Sequence, residues 1–211
     1  MMTITSNLLH PPPVAGNLHY SMNFTYEHVS DFQTLIQPET PLESLLLDLP
    51  EFHVGYNWGM PRFGHPEGKV GLHVREVLDN VDNLDIDFIT RRQLRLITLA
   101  HDTFKYKESK FLPRIPANHH GTIARVFMER YLDNEDMLDV IELHDEAYYV
   151  WRHVELDNKP ELANRRLENL LNRLGDNLPL YFLFFKCDTQ TGDKIQAPLR
   201  WFERVVKEAK F

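Results

Sequence analysis

Apolar residues recur along most of this chain at the three- and four-residue steps of helices. Val70, His73, Val74, Val77, Leu78 and Val81 follow i, i+3, i+4, i+7, i+8 and i+11, one face of a helix. Thr40-Pro41-Leu42-Glu43 is a helix-start signature, with Leu45, Leu46 and Leu49 as the apolar side and Pro50 as the stop. Thr90-Arg91-Arg92-Gln93 reads as a second capping box, opening a helix through Leu94, Ile97 and His101. The spacing predicts further helices over 119–132, 136–151 and 165–174, the last stopped by Gly175. Another starts at Pro179 and carries Tyr181, Phe184, Phe185 and Asp188; Leu199, Phe202, Val206 and Ala209 mark the last. Residues 55–68, with four glycines and two prolines, read as a loop. No alternating strand pattern and no internal repeat is present, so the expectation is an all-α helical domain over 39–211. Residues 1–38, with Pro11, Pro12 and Pro13, form an irregular N-terminal extension.

Composition narrows the class. Apolar residues make up 43% and charged residues 26% of 211, enough for one soluble domain with a core. No apolar run approaches the roughly 18 residues of a membrane span, and the N-terminus has no basic start, so neither membrane nor secretory signal is expected. The single cysteine, Cys187, reads as a small core residue in a reducing, cytoplasmic protein. A net charge of -8 argues against long nucleic acid as partner, though not against a small phosphorylated ligand. Eleven histidines beside one cysteine point to metal sites of imidazole and carboxylate.

The placement of those histidines carries the chemistry. His73 sits in the valine stripe; His101 follows Leu94 and Ile97 by seven and four. His119 precedes Ile123 and Phe127 by four and eight, and His144 follows Met137 and Ile141 by seven and three. Asp188 follows Tyr181, Phe184 and Phe185 by seven, four and three, and Asp102 adjoins His101. All are expected to face the interior. A buried carboxylate without a partner costs several kcal/mol or loses its charge. A divalent cation is the simplest common partner for such a set.

These residues resemble the H…HD…D signature of the HD-domain phosphohydrolase superfamily, with His73, His101-Asp102 and Asp188 in order. His65-Pro66-Glu67-Gly68-Lys69-Val70-Gly71-Leu72-His73 is similar to the HPEG-x-V-x-x-H opening of HD domains attached to tRNA nucleotidyltransferases. His101-Asp102-Thr103-Phe104-Lys105 resembles HD-x-G-K with Phe104 in place of glycine, and His119 to Ala124 resembles H-x-x-x-G-A with Ile123 in place of glycine. His144-Asp145 falls where many members carry the next histidine. The likeness spans about residues 63 to 190. No GYP motif is present, so cyclic di-GMP is not the expected substrate. Residues 1–62 are too short and unlike a nucleotidyltransferase head for a CCA-adding enzyme.

The resemblance implies an HD-like helical bundle that hydrolyses a small phosphate ester or anhydride, nucleotide-derived, by attack of a metal-bound hydroxide. It implies His73, His101, Asp102 and Asp188 as ligands of a first divalent ion (Mn, Co, Ni, Fe, Zn or Mg). His119 and His144 would hold a second, with His120 or Asp145 as lesser candidates and Asp102 as the bridge. Lys105 matches the motif lysine and is the first choice for a phosphate contact; Arg62 is a second, and Glu67 a candidate for proton transfer. Lys107, Lys110 and Arg114 make the following loop basic. Arg91 and Arg92 oppose the dipole preference at a helix start, and the sequence supplies no reason. A di-iron oxygenase and a non-catalytic metal- or nucleotide-binding regulatory module are the alternatives, and a homodimer is left open.

Overall fold

A computed structural model describes residues 31–108 and 115–208. Eleven α-helices lie among them and no β-strand; a single isolated bridge pairs Arg62 with His65. The protein is an all-α bundle, as the periodicity predicts. No helix among the described residues is long and apolar enough to cross a membrane.

The first helices depart from expectation in their boundaries. Helix α1 (Phe32–Ile36) falls inside the segment expected to be irregular, capped by the Asp31 carboxylate on the Thr34 amide. The remainder of that extension, residues 1–30, lies outside the described residues. Helix α2 (Pro41–Leu47) starts as predicted: the Thr40 hydroxyl accepts from the Glu43 amide at 3.2 Å, and the Glu43 carboxylate accepts from the Glu39 amide at 3.0 Å. Pro50 does not end that helix but opens α3 (Pro50–Tyr56), where a missing N–H costs nothing. The loop therefore begins at Asn57 rather than Gly55. Gly55 sits inside α3 because a Cβ there would meet the Thr103 carbonyl oxygen at 2.0 Å, so α3 packs directly on the turn that carries Asp102.

Helix α4 (Val70–Asp82) buries His73 in its valine stripe. Helix α5 (Phe88–Ala100) begins before the expected box, because Asp87 is the cap and accepts from the Ile89 and Thr90 amides. Arg91 then reaches Glu39 and Asp82, at 2.5 and 2.6 Å, and Arg92 lies over the Phe88 ring, so the arginines at this helix start are answered by neighbours rather than by the dipole. Arg95, one turn on, is buried and paired with buried Glu43 at 2.8 Å.

Helix α6 (His120–Met128) starts at His120, with His119 as its cap. The single helix expected over 136–151 is two: α7 (Glu135–Leu143) and α8 (Glu146–Glu155), with His144 and Asp145 at the break. The cause is the Tyr181 hydroxyl. It accepts from the Ala147 amide at 3.0 Å and donates to the Leu143 carbonyl at 3.0 Å, inserting into what would be an i→i−4 bond. Helix α9 (Pro160–Leu174) starts five residues before the predicted start and stops at Gly175, whose φ is 47°. Helix α10 (Leu178–Thr189) brings Tyr181 and Asp188 to the core, and α11 (Ala197–Glu208) closes the bundle; Ala209 lies beyond the described residues.

Candidate metal centre

Each His-Asp pair follows the end of a helix, and that position aims it. The His101 Nδ1 donates to the Thr98 carbonyl at 2.8 Å, and the His144 Nδ1 to the Ile141 carbonyl at 2.8 Å, each three residues back. The His120 Nδ1 donates to the Glu108 carboxylate at 2.7 Å. These acceptors assign the proton to Nδ1 in all three rings and turn the Nε2 lone pairs inward, the orientation that metal-ligating histidines take from such outer partners. Gly121 allows the third: a Cβ there would meet the Glu142 carbonyl oxygen at 2.5 Å, so only glycine lets the start of α6 approach the end of α7.

The inward atoms form two groups that share Asp102. Its Oδ2 lies 3.7 Å from the His73 Nε2 and 3.4 Å from the His101 Nε2, and the Asp188 Oδ1 is 2.9 Å from the same His73 atom. Its Oδ1 lies 3.3 Å from the His120 Nε2 and 3.4 Å from the His144 Nε2, while the Asp145 Oδ2 is 3.5 and 3.6 Å from those two. All but Asp145 and Asp188 are nearly without solvent contact. The groups His73–His101–Asp102 and Asp102–His120–His144 could each hold a metal ion.

Two observations test the fit. The His101 Nε2 and the Asp102 Oδ1 are buried and make no hydrogen bond, a costly state for polar atoms. Further, the His120 and His144 Nε2 atoms are 3.1 Å apart although both Nδ1 atoms carry protons donated elsewhere. Two lone pairs at that separation repel unless a proton or a metal ion lies between them. The donor set of imidazole nitrogen and carboxylate oxygen suits Mn, Fe, Co, Ni or Zn.

Electrostatics divide the site. Burial would raise the Asp102 carboxyl, but His101 and Lys105 hold it well below the usual range. Burial opposes the ionised Asp188 too, and Lys194 and His73 hold it low. Burial and the Lys194 ammonium lower the His73 imidazole to about 4. Burial would lower His144 likewise, yet Asp145 and Asp102 lift it to about 9. One half of the site repels protons and the other gathers them.

His73, His101, Asp102, Asp188 and His144 come together as the pattern predicts. His119 stands beside them and groups with Glu108 and His120 instead. Its Nδ1 accepts from the Gly121 amide at 3.2 Å, which puts its proton on Nε2, a buried atom 3.7 Å from Asp145 and without a hydrogen-bond partner. His120 takes the expected place, and its spacing to buried Ala124, Phe127 and Met128 (four, seven and eight) is the legible signal for it. Asp145 joins the same half.

Lys105 bonds the Asp102 Oδ2 at 2.5 Å on the floor of a cleft of about 670 Å³, and exposed Arg62 lines that cleft. Glu67 does not line it: it lies behind His73, its Oε1 3.5 Å from the Nδ1 and 2.9 Å from the His65 Nδ1. With His65 and His73 it forms a further group that could hold a metal ion, and it lines a small neighbouring pocket together with Asp102 and Lys105. Thr191 stands at the same nitrogen, at 3.5 Å. Glu108 and Lys194 carry no pattern in the sequence that marks them, since each lies in irregular chain and meets the site only through folding. Lys107 lies over the Phe104 ring; Lys110 and Arg114 fall outside the described residues. Burial pushes the Cys187 thiol up to about 12, as suits a core residue. Comparison with family models, curated proteins and solved structures finds no significant match.

Proposed function

We propose that this protein is a metal-dependent phosphohydrolase acting on a small, nucleotide-derived phosphate ester or anhydride. The observation that carries the metal is the convergence of four imidazole Nε2 atoms, from His73, His101, His120 and His144, on the buried Asp102 carboxylate, with the His101 Nε2 and Asp102 Oδ1 left without a hydrogen bond. His73, His101, Asp102 and Asp188 would hold one divalent ion, and Asp102, His120, His144 and Asp145 a second. A bound ion supplies a water of lowered pKa and neutralises phosphoryl oxygens.

The chain's own groups support the rest. Asp102 offers one oxygen to each half, the arrangement that suits a bridging carboxylate. Lys105 lies beside that carboxylate on the cleft floor, placed to donate to a phosphoryl oxygen. Trp58, Phe63, Tyr148 and Tyr149 line the cleft and supply aromatic surface of the kind on which a nucleobase stacks. The net charge of -8 disfavours a polymer and is tolerable for one small anion held by local cations.

The test is elemental analysis of the wild type and of Asp102→Ala, each assayed on nucleotides and generic phosphate esters. The expected result is up to two equivalents of Mn, Co, Ni, Fe or Zn in the wild type, lost together with hydrolysis in the variant. Bound iron with a visible absorption band and no hydrolysis would replace this reading with a di-iron oxygenase. A metal with neither property would leave a regulatory module.

A further inference from the structure

Positive charge is distributed unevenly about the two halves. The Lys105 Nζ bonds the Asp102 Oδ2 at 2.5 Å, and the Lys194 Nζ bonds the Asp188 Oδ1 at 2.9 Å; both oxygens belong to the His73–His101 half. Among the described residues no lysine or arginine forms an ion pair with Asp145 or Glu108 on the other side. Lys194 is held by a folded turn rather than a loose tail. The Thr191 hydroxyl donates to the Asp188 carbonyl at 2.7 Å, the Lys194 amide bonds the Thr191 carbonyl, and the Gly192 amide donates to Glu76. Asp193 next to it accepts from the Gly64 amide at 2.6 Å, tying the turn to the loop on the facing wall. The ammonium donates to the Asp188 carbonyl and carboxylate, both at 2.9 Å, which uses two of its three protons.

An anion entering the cleft meets Asp102, Glu108, Asp145 and Asp188, and the lysines and arginines that line it among the described residues are Arg62, Lys105 and Lys194. Arg62 is exposed, whereas the two lysine side chains are 18% and 17% exposed. A cation bound by Asp188 and His73 would itself compensate Asp188, leaving the Lys194 ammonium poorly solvated beside the cleft and in need of another anion. We propose that Lys194 is a substrate-binding residue that, together with Lys105, holds the phosphoryl group over the His73–His101–Asp188 half of the site. This rests on the phosphohydrolase reading. The ligand chemistry is a terminal phosphate, shared by a phosphate monoester and by inorganic phosphate as product.

The experiment is calorimetric titration of inorganic phosphate into Mn-loaded wild type, Lys194→Met, Lys194→Gln and Lys194→Arg, with metal content and melting temperature measured on each. Loss of a charge-assisted hydrogen bond predicts phosphate binding weakened about tenfold or more in Lys194→Met and Lys194→Gln. Partial recovery is expected in Lys194→Arg, with metal content unchanged throughout. Unchanged phosphate affinity in whichever neutral variant folds, or a loss that only tracks lost metal, would overturn the proposal and leave Lys194 as a counter-charge to Asp188. If instead the loaded wild type neither binds phosphate nor hydrolyses an ester, the phosphohydrolase reading fails first and this proposal with it.

Discussion

A single proton position separates His119 from His120. The two are consecutive and both lie beside Asp145, yet the Gly121 amide fixes the His119 lone pair on Nδ1 while Glu108 takes the His120 Nδ1 proton. One ring thereby turns a proton toward Asp145 and the other a lone pair toward Asp102. Asn is a good helix cap and retains an acceptor for the Gly121 amide. His119→Asn is therefore expected to keep the metal content of the wild type. His120→Asn should lose one equivalent and keep the other, measured by elemental analysis of the purified variants. Equal loss in both would show that the cap does not decide the ligand.

At the scale of elements, the site depends on where helices stop. Helix α5 ends at Ala100 with its Leu99 carbonyl bonded by the Tyr56 hydroxyl at 3.0 Å and the Thr103 hydroxyl at 2.7 Å. Helix α7 ends at Leu143 because the Tyr181 hydroxyl separates it from α8. Without that hydroxyl, Ala147 and Leu143 would be free to close the ordinary helical bond and draw His144 and Asp145 off the site. Tyr181→Phe is expected to lower stability by about 1–3 kcal/mol, read from the urea midpoint. It should also reduce the metal equivalents by one, with the His73 half still loaded. A lower midpoint with full metal content would confine the tyrosine to stability.

For the whole molecule, a metal ion held by these clusters would compete with protons for one interior. In chelated protein, His144 at about 9 lies above its ordinary 6.5. Its contribution is therefore complete below pH 6.5 and lost as pH rises through 9, a change on the order of 3 kcal/mol. His73 at about 4 lies below 6.5, so its contribution is present above pH 6.5 and falls away as pH drops toward 4. Asp102 and Asp188, both depressed, add to that acid-side loss. The chelated protein should melt highest near pH 6.5 and lower on either side. Metal-loaded protein should melt higher and hold its value to pH 9, because an ion replaces the proton. Melting curves at pH 5, 6.5 and 9, with and without chelator, check this; identical curves would mean that no ion binds.

The amino-acid sequence by itself determined the helical class and the faces that become buried, because apolar periodicity is local. Val70 to Val81 and Leu178 to Phe185 needed no knowledge of their neighbours, and the inward placement of His73, His101, Asp102, Asp188 and His144 followed from the same spacing. Tertiary structure decided what depends on atoms far apart in the chain. The break at His144 requires a hydroxyl 37 residues away, and the close approach of α6 to α7 requires Gly121 against a particular carbonyl. The choice of His120 over His119 rests on the proton that Glu108 accepts, and Lys194 reaches the site only because its turn folds over Asp188. Periodicity reports which side of a helix is dry; it holds no information on where a proton sits or which distant group enters a helix end.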